Sequence, residues 1–115
     1  MAQDEKGYNG WTNYETWVTA LWLDNDQSTH EYWREAAREC REEAPSDCMV
    51  KEGVWTVQHA ARSFLADRLR EEVSYSTPIT SEASLYADLL MAALHEVNWH
   101  EIAEHLMQDL DEERA

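Results

Sequence analysis

The chain has 115 residues, 43% of them hydrophobic, a length and composition that predict one compact domain with its own core. Its 9 Lys and Arg against 24 Asp and Glu give a formal net charge of −15, which argues against direct binding to DNA, RNA or anionic lipid, because phosphate contacts depend on clustered basic side chains. The apolar runs are too short to cross a bilayer and the N-terminus lacks the order of a signal peptide, so we expect a cytoplasmic protein.

Acidic charge is concentrated toward the C-terminus. Residues 75–115 carry 9 acids and a single base, Arg114, whereas residues 34–74 carry 9 acids and 7 bases. The electrostatic field of these acids attracts basic surfaces, at a rate that depends on the salt concentration. It also keeps a protein in solution, so the charge by itself leaves a functional and a merely solubilising role open.

The N-terminal region is predicted to be an arm followed by a helix. Residues 1–10 are polar with two glycines, so we expect a flexible arm that becomes ordered near Tyr8 and Trp11, and a single helical domain over residues 11–115. Thr12 and Glu15 have the spacing of a capping box, which predicts a helix from there to about Leu23. Its expected core face comprises Tyr14, Trp17, Val18, Leu21 and Trp22.

Two further helices are predicted in the middle of the chain. Capping spacing at Ser28 and Glu31 predicts a second helix to about Glu43, and helical periodicity from about Val54 predicts a third helix to about Val73. Residues 46–53 fit either a loop or a short helical turn, and residues 74–78 fit a break in which a hairpin strand is an alternative. The expected core residues are Tyr32, Trp33, Ala36, Ala37 and Cys40, then Val57, Ala60, Ala61, Phe64, Leu65 and Leu69.

The C-terminal part carries the most regular apolar stripe. A fourth helix is predicted to begin near Thr80 or Ser81, with the core face Leu85, Tyr86, Leu89, Leu90, Ala93, Leu94 and Val97. Val97 and Ile102 have the spacing of a hydrophobic staple around Asn98, which predicts a sharp turn into a fifth helix. The expected fold class is all-α, a compact single-domain bundle of about five helices.

No catalytic or metal-binding pattern emerges from the sequence. His95, His100 and His105 advance in steps of five residues, so successive rings stand about 140° apart on a helix and cannot share one ion. Cys40 and Cys48 are expected to be free thiols. Nucleophile motifs and glycine-rich phosphate loops are missing from the sequence. We therefore expect no enzyme, no cofactor and no metal.

Two groups of residues are candidates for binding a partner. The fifth helix places a row of carboxylates along one side, where it could meet a basic groove built for phosphates, although a solvated outer face has the same pattern. The sequence also has 6 tryptophans, most of them expected in the core, with two at predicted loop edges as candidate surface anchors. The candidate positions are Glu101, Glu104, Asp111, Glu112, Trp11 and Trp55.

Two stretches of the sequence resemble one group of proteins. The first is Asn13-Tyr14-Glu15-Thr16-Trp17, continued by Leu21-Trp22-Leu23-Asp24-Asn25-Asp26, and the second spans residues 97–106. They resemble the opening and closing segments of a family of small, uncharacterised proteins encoded by bacteriophages and plasmids. The resemblance implies an origin on a mobile element, where short acidic proteins often block host defence complexes, and it gives no residue a catalytic role.

Two functions fit these observations. The first is an inhibitor in the host cytoplasm, of anti-CRISPR or anti-restriction type, whose acidic surface mimics nucleic acid and binds the basic surface of a nucleic-acid-handling protein complex. The second is a non-enzymatic structural or adaptor module, with a homodimer as one form, in which an aromatic patch makes the interface. Neither involves direct contact with nucleic acid or membrane.

Overall fold

The chain folds into helices joined by short connections. The computed structural model describes residues 7–114, and at residues 80, 81, 113 and 114 it describes the backbone alone. The described residues contain no strand, and the expected all-α, single-domain class is confirmed. The helices are α1 (Tyr14–Asn25), α2 (Gln27–Glu43), α3 (Cys48–Lys51), α4 (Val57–Tyr75), α5 (Leu85–His95) and α6 (Trp99–Arg114), with short 3₁₀ segments at Ala44–Ser46 and Pro78–Ser81.

Helix α4 packs against both α2 and α6, and these three helices enclose most of the core. Small buried residues on α2, such as Ala36 and Ala37, meet the fully buried Leu65 and Leu69 of α4. Small side chains allow the helix axes to approach closely, so that the leucines fill the space between them. Larger side chains of α2, α5, α6 and the α5–α6 connection complete this cluster, namely Trp33, Leu94, Val97, Trp99, Ile102 and Leu110.

Helix caps are present where the sequence predicts helix starts, but different residues provide two of them. Asn13, and not Thr12, caps α1 by accepting a hydrogen bond from the Thr16 N–H at 2.9 Å. Asp26 caps α2, two residues before the predicted Ser28. Several cap-forming residues stand together at both places, and the path of the preceding backbone decides which side chain reaches the free N–H groups.

The connections contain more helix than the sequence indicated in one place and less in another. Between α2 and α4, the 3₁₀ segment and α3 are held by a second core cluster in which Val50 and Trp55 pack on buried Ala44, Ala60 and Ala61. Helix α4 begins at Val57, after the cap Thr56, and continues to Tyr75, so the alternative of a strand in residues 74–78 is wrong. Helix α5 begins at Leu85, several residues later than expected.

The predicted core face of α5 is wrong for three of its seven residues. Leu94 is buried, but Leu85, Tyr86 and Leu89 are 67%, 73% and 60% exposed. Helix α5 lies at the edge of the bundle, where its backbone neighbours mainly the 3₁₀ segment Pro78–Ser81. Because α5 is apolar around most of its circumference, periodicity alone does not show which side meets the core.

The predicted core face of α1 needs a similar correction. Tyr14, Leu21 and Trp22 are exposed, Trp22 at 69%, and the fully buried side chain of this helix is the polar Thr16. Trp17 and Val18 are half-buried. Helix α1 therefore attaches to the rest of the protein through Ala20 and Leu23, which pack against the core, and through the polar contacts of Thr16, which hydrophobic periodicity does not reveal.

Candidate functional site

The segment before α1 is a tight turn that folds back on itself. Tyr8 and Trp11 exchange two backbone hydrogen bonds, of 2.9 Å and 2.7 Å, across Asn9 and Gly10. Both turn residues have positive φ, 47° and 88°, the conformation that Asn-Gly favours in a two-residue hairpin turn. The turn lies where the sequence predicts that the chain becomes ordered, near Tyr8 and Trp11. The flexibility of the arm stays a prediction, and residues 1–6 lie outside the described part of the chain. The turn fixes the position of Trp11.

Immediately after the turn, a polar cluster joins the start of α1 to the start of α6. The Thr12 N–H donates to Glu101 Oε1 at 3.0 Å, and Asn98 Nδ2 donates to the Thr12 hydroxyl at 3.2 Å. Asn98 also caps α6, since its side-chain oxygen accepts from the Glu101 N–H at 3.1 Å. The N-terminal segment is therefore anchored on a helix that begins more than 80 residues later in the chain.

The same cluster continues to the cap of α1. The buried Thr16 hydroxyl accepts from the Asn98 N–H at 2.8 Å and donates to the Asn13 side-chain oxygen at 2.6 Å. Asn13 Nδ2 in turn donates to the Glu96 carbonyl at 2.7 Å. The two stretches that carry the sequence resemblance, around residues 13–17 and 97–101, thus meet in space, and most of their polar residues are explained by this contact.

Glu101 is a structural residue, and its prediction as a surface position is wrong. It is only 6% exposed, because the segment around Thr12 covers it, whereas Glu104 one turn later is exposed. A carboxylate in the first turn of a helix is also stabilised by the helix dipole. Helical spacing placed Glu101 in a row with Glu104, but the covering segment comes from the other end of the chain.

A cavity of about 250 Å³ opens beside this cluster, between α1, α2 and α6. We call it the aromatic pocket, because three tryptophans line it: Trp11 from the turn, Trp17 from α1 and the buried Trp33 from α2. The remaining lining residues are Ala20, Leu21, Leu23, Asp24, His30, Ile102, His105, Leu106 and Asp109. Sequence analysis missed this pocket because its walls come from four separate elements.

Two aromatic and polar contacts shape the aromatic pocket. The Trp11 indole stacks on the His105 ring with centroids 4.1 Å apart and an angle of 29° between the planes. His30 Nδ1 lies 2.6 Å from Asp24 Oδ1. Trp11 is consequently half-buried and acts as a wall of the pocket. It is not the isolated surface anchor that the sequence suggested.

The solvent-exposed side of α6 carries carboxylates, which we call the acidic face: Glu104, Asp111 and Glu112. Asp111 pairs with Arg41 of α2 at 3.0 Å, so part of its charge is compensated. Among the residues whose side chains are described, no base forms an ion pair with Glu104, Asp109 or Glu112. The structure thus brings three of the four predicted acidic positions to one exposed side, and removes Glu101.

Basic side chains lie mainly elsewhere. Helix α1 carries no Lys or Arg, and the sequence of α6 has one, Arg114 at its end. On the α2 and α4 side, Arg68 bridges Glu39 at 2.9 Å and Glu72 at 3.1 Å, and Arg38 pairs with Glu35 at 2.9 Å. Arg38 and Arg68 are therefore neutralised by acids of α2 and α4, while Glu104, Asp109 and Glu112 of α6 pair with no described base.

Trp55 lies apart from the acidic face and the aromatic pocket. It is half-buried in the second core cluster, and its ring meets the His59 ring edge to face at 4.8 Å. A different group of apolar side chains is exposed instead, which we call the α5 patch: Ile79, Leu85, Tyr86 and Leu89, each between 51% and 73% exposed. The patch lies in a part of the chain that has few charges.

The remaining chemistry is that of two thiols. Cys40 is buried and Cys48 exposed, and both are free. Burial raises the pKa of the Cys40 thiol above its ordinary value of 9.0, an effect that nearby Arg68 partly offsets.

Within residues 7–114, no group of three or more His, Cys, Asp or Glu residues is arranged to hold a metal ion. None of the helices described there combines the length and hydrophobicity that a membrane crossing requires.

These features define a small, strongly acidic, all-helical protein whose distinctive surfaces are an acidic face, an aromatic pocket beside it and an exposed apolar patch. The chain belongs to a family of unknown function (DUF7249), whose model matches residues 4–113. Comparison with curated proteins and with solved structures gives no match.

Proposed function

We propose that this protein is a non-enzymatic inhibitor that binds the basic, nucleic-acid-binding surface of another protein through the side formed by α1 and α6. In this account the acidic face takes the place of nucleic acid phosphates. The inhibitor is of anti-CRISPR or anti-restriction type, and its partner is a nucleic-acid-handling defence complex in the host cytoplasm. The protein itself touches neither nucleic acid nor membrane.

The observation that carries this proposal is the separation of charge across the fold. Exposed carboxylates at Glu104, Asp109 and Glu112 have no basic partner among the described side chains, while Arg38 of α2 and Arg68 of α4 pair with acids of those two helices. A solubilising charge needs no such separation, because evenly mixed charge also keeps a protein in solution. A one-sided acidic surface attracts basic grooves and speeds association with them.

The choice of a defence complex as partner rests on a different argument. The sequence resembles proteins encoded by bacteriophages and plasmids, and nucleic-acid channels of CRISPR effectors are lined with positive charge. An acidic domain of this size suits such a channel. The partner is inferred by analogy with the proteins that the sequence resembles, and binding to a purified defence complex tests it directly.

Charge reversal on the acidic face tests the proposal. The double variant Glu104→Lys with Glu112→Lys should keep the helical circular dichroism and weaken binding to the purified partner roughly 10- to 100-fold, with a flatter dependence on salt. The matched control reverses Glu42 and Glu43, two exposed neighbours on α2, and should change affinity much less. Equal effects of the two double variants would show that only net charge matters and would overturn the acidic face as the binding surface.

A second candidate function is an adaptor module that forms a homodimer through the α5 patch. The observation that favours it is the exposure of Leu85, Tyr86 and Leu89 on a helix whose single acid is Asp88. In a chain of net charge −15, two copies repel each other least where charge is sparse. Large exposed apolar groups on a soluble protein often mark an interface.

The oligomeric state decides this second candidate. A homodimer would show a concentration-dependent mass in analytical ultracentrifugation, and Leu89→Glu would shift it to monomer, whereas Trp22→Glu, at an exposed position on α1, would not. A monomer at all concentrations would exclude self-association through the α5 patch.

A further inference from the structure

We propose that the aromatic pocket is a receptor for one guanidinium group, supplied by an arginine side chain on the surface of the partner protein. This inference rests on the proposed function, since it requires a partner with exposed basic residues. It adds a specific anchoring site to a surface that otherwise attracts partners by charge alone.

The walls of the pocket suit a flat cation. Trp11, Trp17 and Trp33 line one cavity, and three indoles around a space of about 250 Å³ present aromatic surface that attracts a positive group. Indole is the strongest of the aromatic side chains in this interaction. A guanidinium group also stacks on such rings because it is planar and weakly hydrated.

The polar groups of the pocket suit the same ligand. Asp24 and Asp109 both line the cavity, and the structure describes neither Lys nor Arg among the lining residues. One oxygen of Asp24 meets His30, and the Asp24 side chain is 71% exposed, so its other oxygen is accessible to a second donor. Asp109 is exposed and pairs with no described base. Carboxylates accept the forked N–H groups of a guanidinium, whereas an anionic ligand would be repelled.

The size of the cavity limits what enters it. Pockets for whole drug-sized ligands usually enclose about 300–1,000 Å³, so a space of about 250 Å³ fits a single side chain better than a larger cofactor. The position of the pocket agrees with a ligand carried by a protein, because Asp109 of the pocket lining lies one helical turn from Glu112 of the acidic face. A partner that docks on the acidic face would bring an arginine to its mouth.

The test uses a blocked arginine, acetylated and amidated, titrated into the full chain at roughly 0.15 M salt. Each tryptophan gives its own indole N–H signal in a nitrogen–proton NMR spectrum. We expect saturable shifts of the Trp11, Trp17 and Trp33 signals, and little change for Trp22, which is 69% exposed and reports non-specific binding of cations. Blocked citrulline, which has the same shape without the charge, should bind at least about tenfold more weakly.

Two variants localise the effect. Asp109→Asn should weaken the binding of blocked arginine several-fold, and Trp17→Leu should abolish the saturable shifts of the other pocket signals, with helical circular dichroism as the check that it folds. Glu71→Gln, which removes one charge from an exposed position on α4, should leave the affinity unchanged. Blocked lysine tests whether the pocket recognises the guanidinium group or only its positive charge. It should bind more weakly than blocked arginine, because an ammonium group cannot stack on the indole rings or donate two parallel hydrogen bonds to a carboxylate.

Three results would overturn the inference: arginine and citrulline binding alike, arginine shifting Trp22 as much as the pocket signals, or Asp109→Asn and Glu71→Gln having equal effects. The proposed function is tested separately, by the charge reversals at Glu104 and Glu112, which lie outside the pocket lining. Arginine binding without any effect of those reversals on a partner would keep the pocket and reject the acidic face. The opposite pair of results would reject the pocket alone.

Discussion

The backbone N–H of Thr12 donates a 3.0 Å hydrogen bond to the Glu101 carboxylate, 89 residues further along the chain. This bond holds the segment around Thr12 over Glu101, which is therefore buried. The same segment carries Trp11, which forms one wall of the aromatic pocket. The acidic stripe expected from helical spacing therefore divides into a structural residue and an exposed remainder.

Loss of the Glu101 carboxylate should destabilise the fold. Glu101→Ala leaves the Thr12 N–H without its acceptor in a partly buried place, and we expect the free energy of unfolding to fall by about 1–3 kcal/mol in urea denaturation. Glu104→Ala, one turn later and exposed, should stay within about 0.5 kcal/mol. Similar costs at both positions would mean that the segment around Thr12 does not cover Glu101 in solution.

Loss of the Thr16 hydroxyl should lower the free energy of unfolding. Thr16→Val keeps the shape but leaves the Asn98 N–H without an acceptor, so we expect a cost of about 1–3 kcal/mol in thermal or urea unfolding. Thr19→Val is the matched control, because the Thr19 hydroxyl only donates to the Glu15 carbonyl of its own helix. A neutral Thr16→Val would contradict the role of this residue in joining α1 to α6.

Two leucines of α5 should respond differently to truncation. Leu94→Ala removes a buried side chain and should cost about 2–5 kcal/mol. Leu89→Ala, at a position that is 60% exposed, should change stability by about 0.5 kcal/mol or less. Guanidinium chloride unfolding of both variants at low protein concentration measures this difference, and a large cost for Leu89→Ala would show that its side chain is covered in solution.

The buried thiol predicts a dependence of stability on pH. The pKa of Cys40 is raised in the folded state, chiefly by burial, so the unfolded chain loses this proton first as the pH rises. The contribution is fully present below the ordinary value of 9.0 and is lost as pH rises toward the folded pKa. The unfolding free energy of the wild type should fall more steeply above about pH 9 than that of Cys40→Ala. Parallel curves would show that Cys40 is not desolvated.

Thiol labelling gives an independent view of the same burial. Under native conditions, one equivalent of a thiol reagent should react rapidly, at the exposed Cys48, and the second thiol should react only on unfolding. Cys48→Ser should remove the rapid reaction. Two rapid equivalents in the wild type would contradict the burial of Cys40 between α2 and α4.

The sequence predicted the helices well, because their caps and apolar periods are local signals. It failed for α5, where Leu89 and Leu94 are equally apolar and only the position of the neighbouring helices decides which one is buried. It failed for Glu101 and Thr16 for a related reason, since their burial depends on contacts between the two ends of the chain. Asn9-Gly10 was a readable signal of a hairpin turn, and its recognition would have given a defined conformation to the ordered segment expected near Tyr8 and Trp11.

The candidate site was predictable only in part. The surplus of acids after residue 75 indicated an acidic surface, and Glu104, Asp111 and Glu112 do lie on an exposed side of α6. Sequence could not show that Arg41 of α2 reaches Asp111, or that Trp11, Trp17 and Trp33 enclose one cavity. Such contacts join elements that are distant in the chain, and they leave no local pattern in a single sequence.

Competition with nucleic acid is the most direct test of the proposed function. A purified host defence complex that binds the protein would be mixed in solution with saturating protein, and its affinity for its own labelled DNA or RNA measured by fluorescence anisotropy. We predict that bound protein excludes the nucleic acid, with a competition that Glu104→Lys and Glu112→Lys together abolish and that Glu42→Lys with Glu43→Lys preserves. A stable ternary complex, in which the partner holds protein and nucleic acid together at full affinity, would contradict the account.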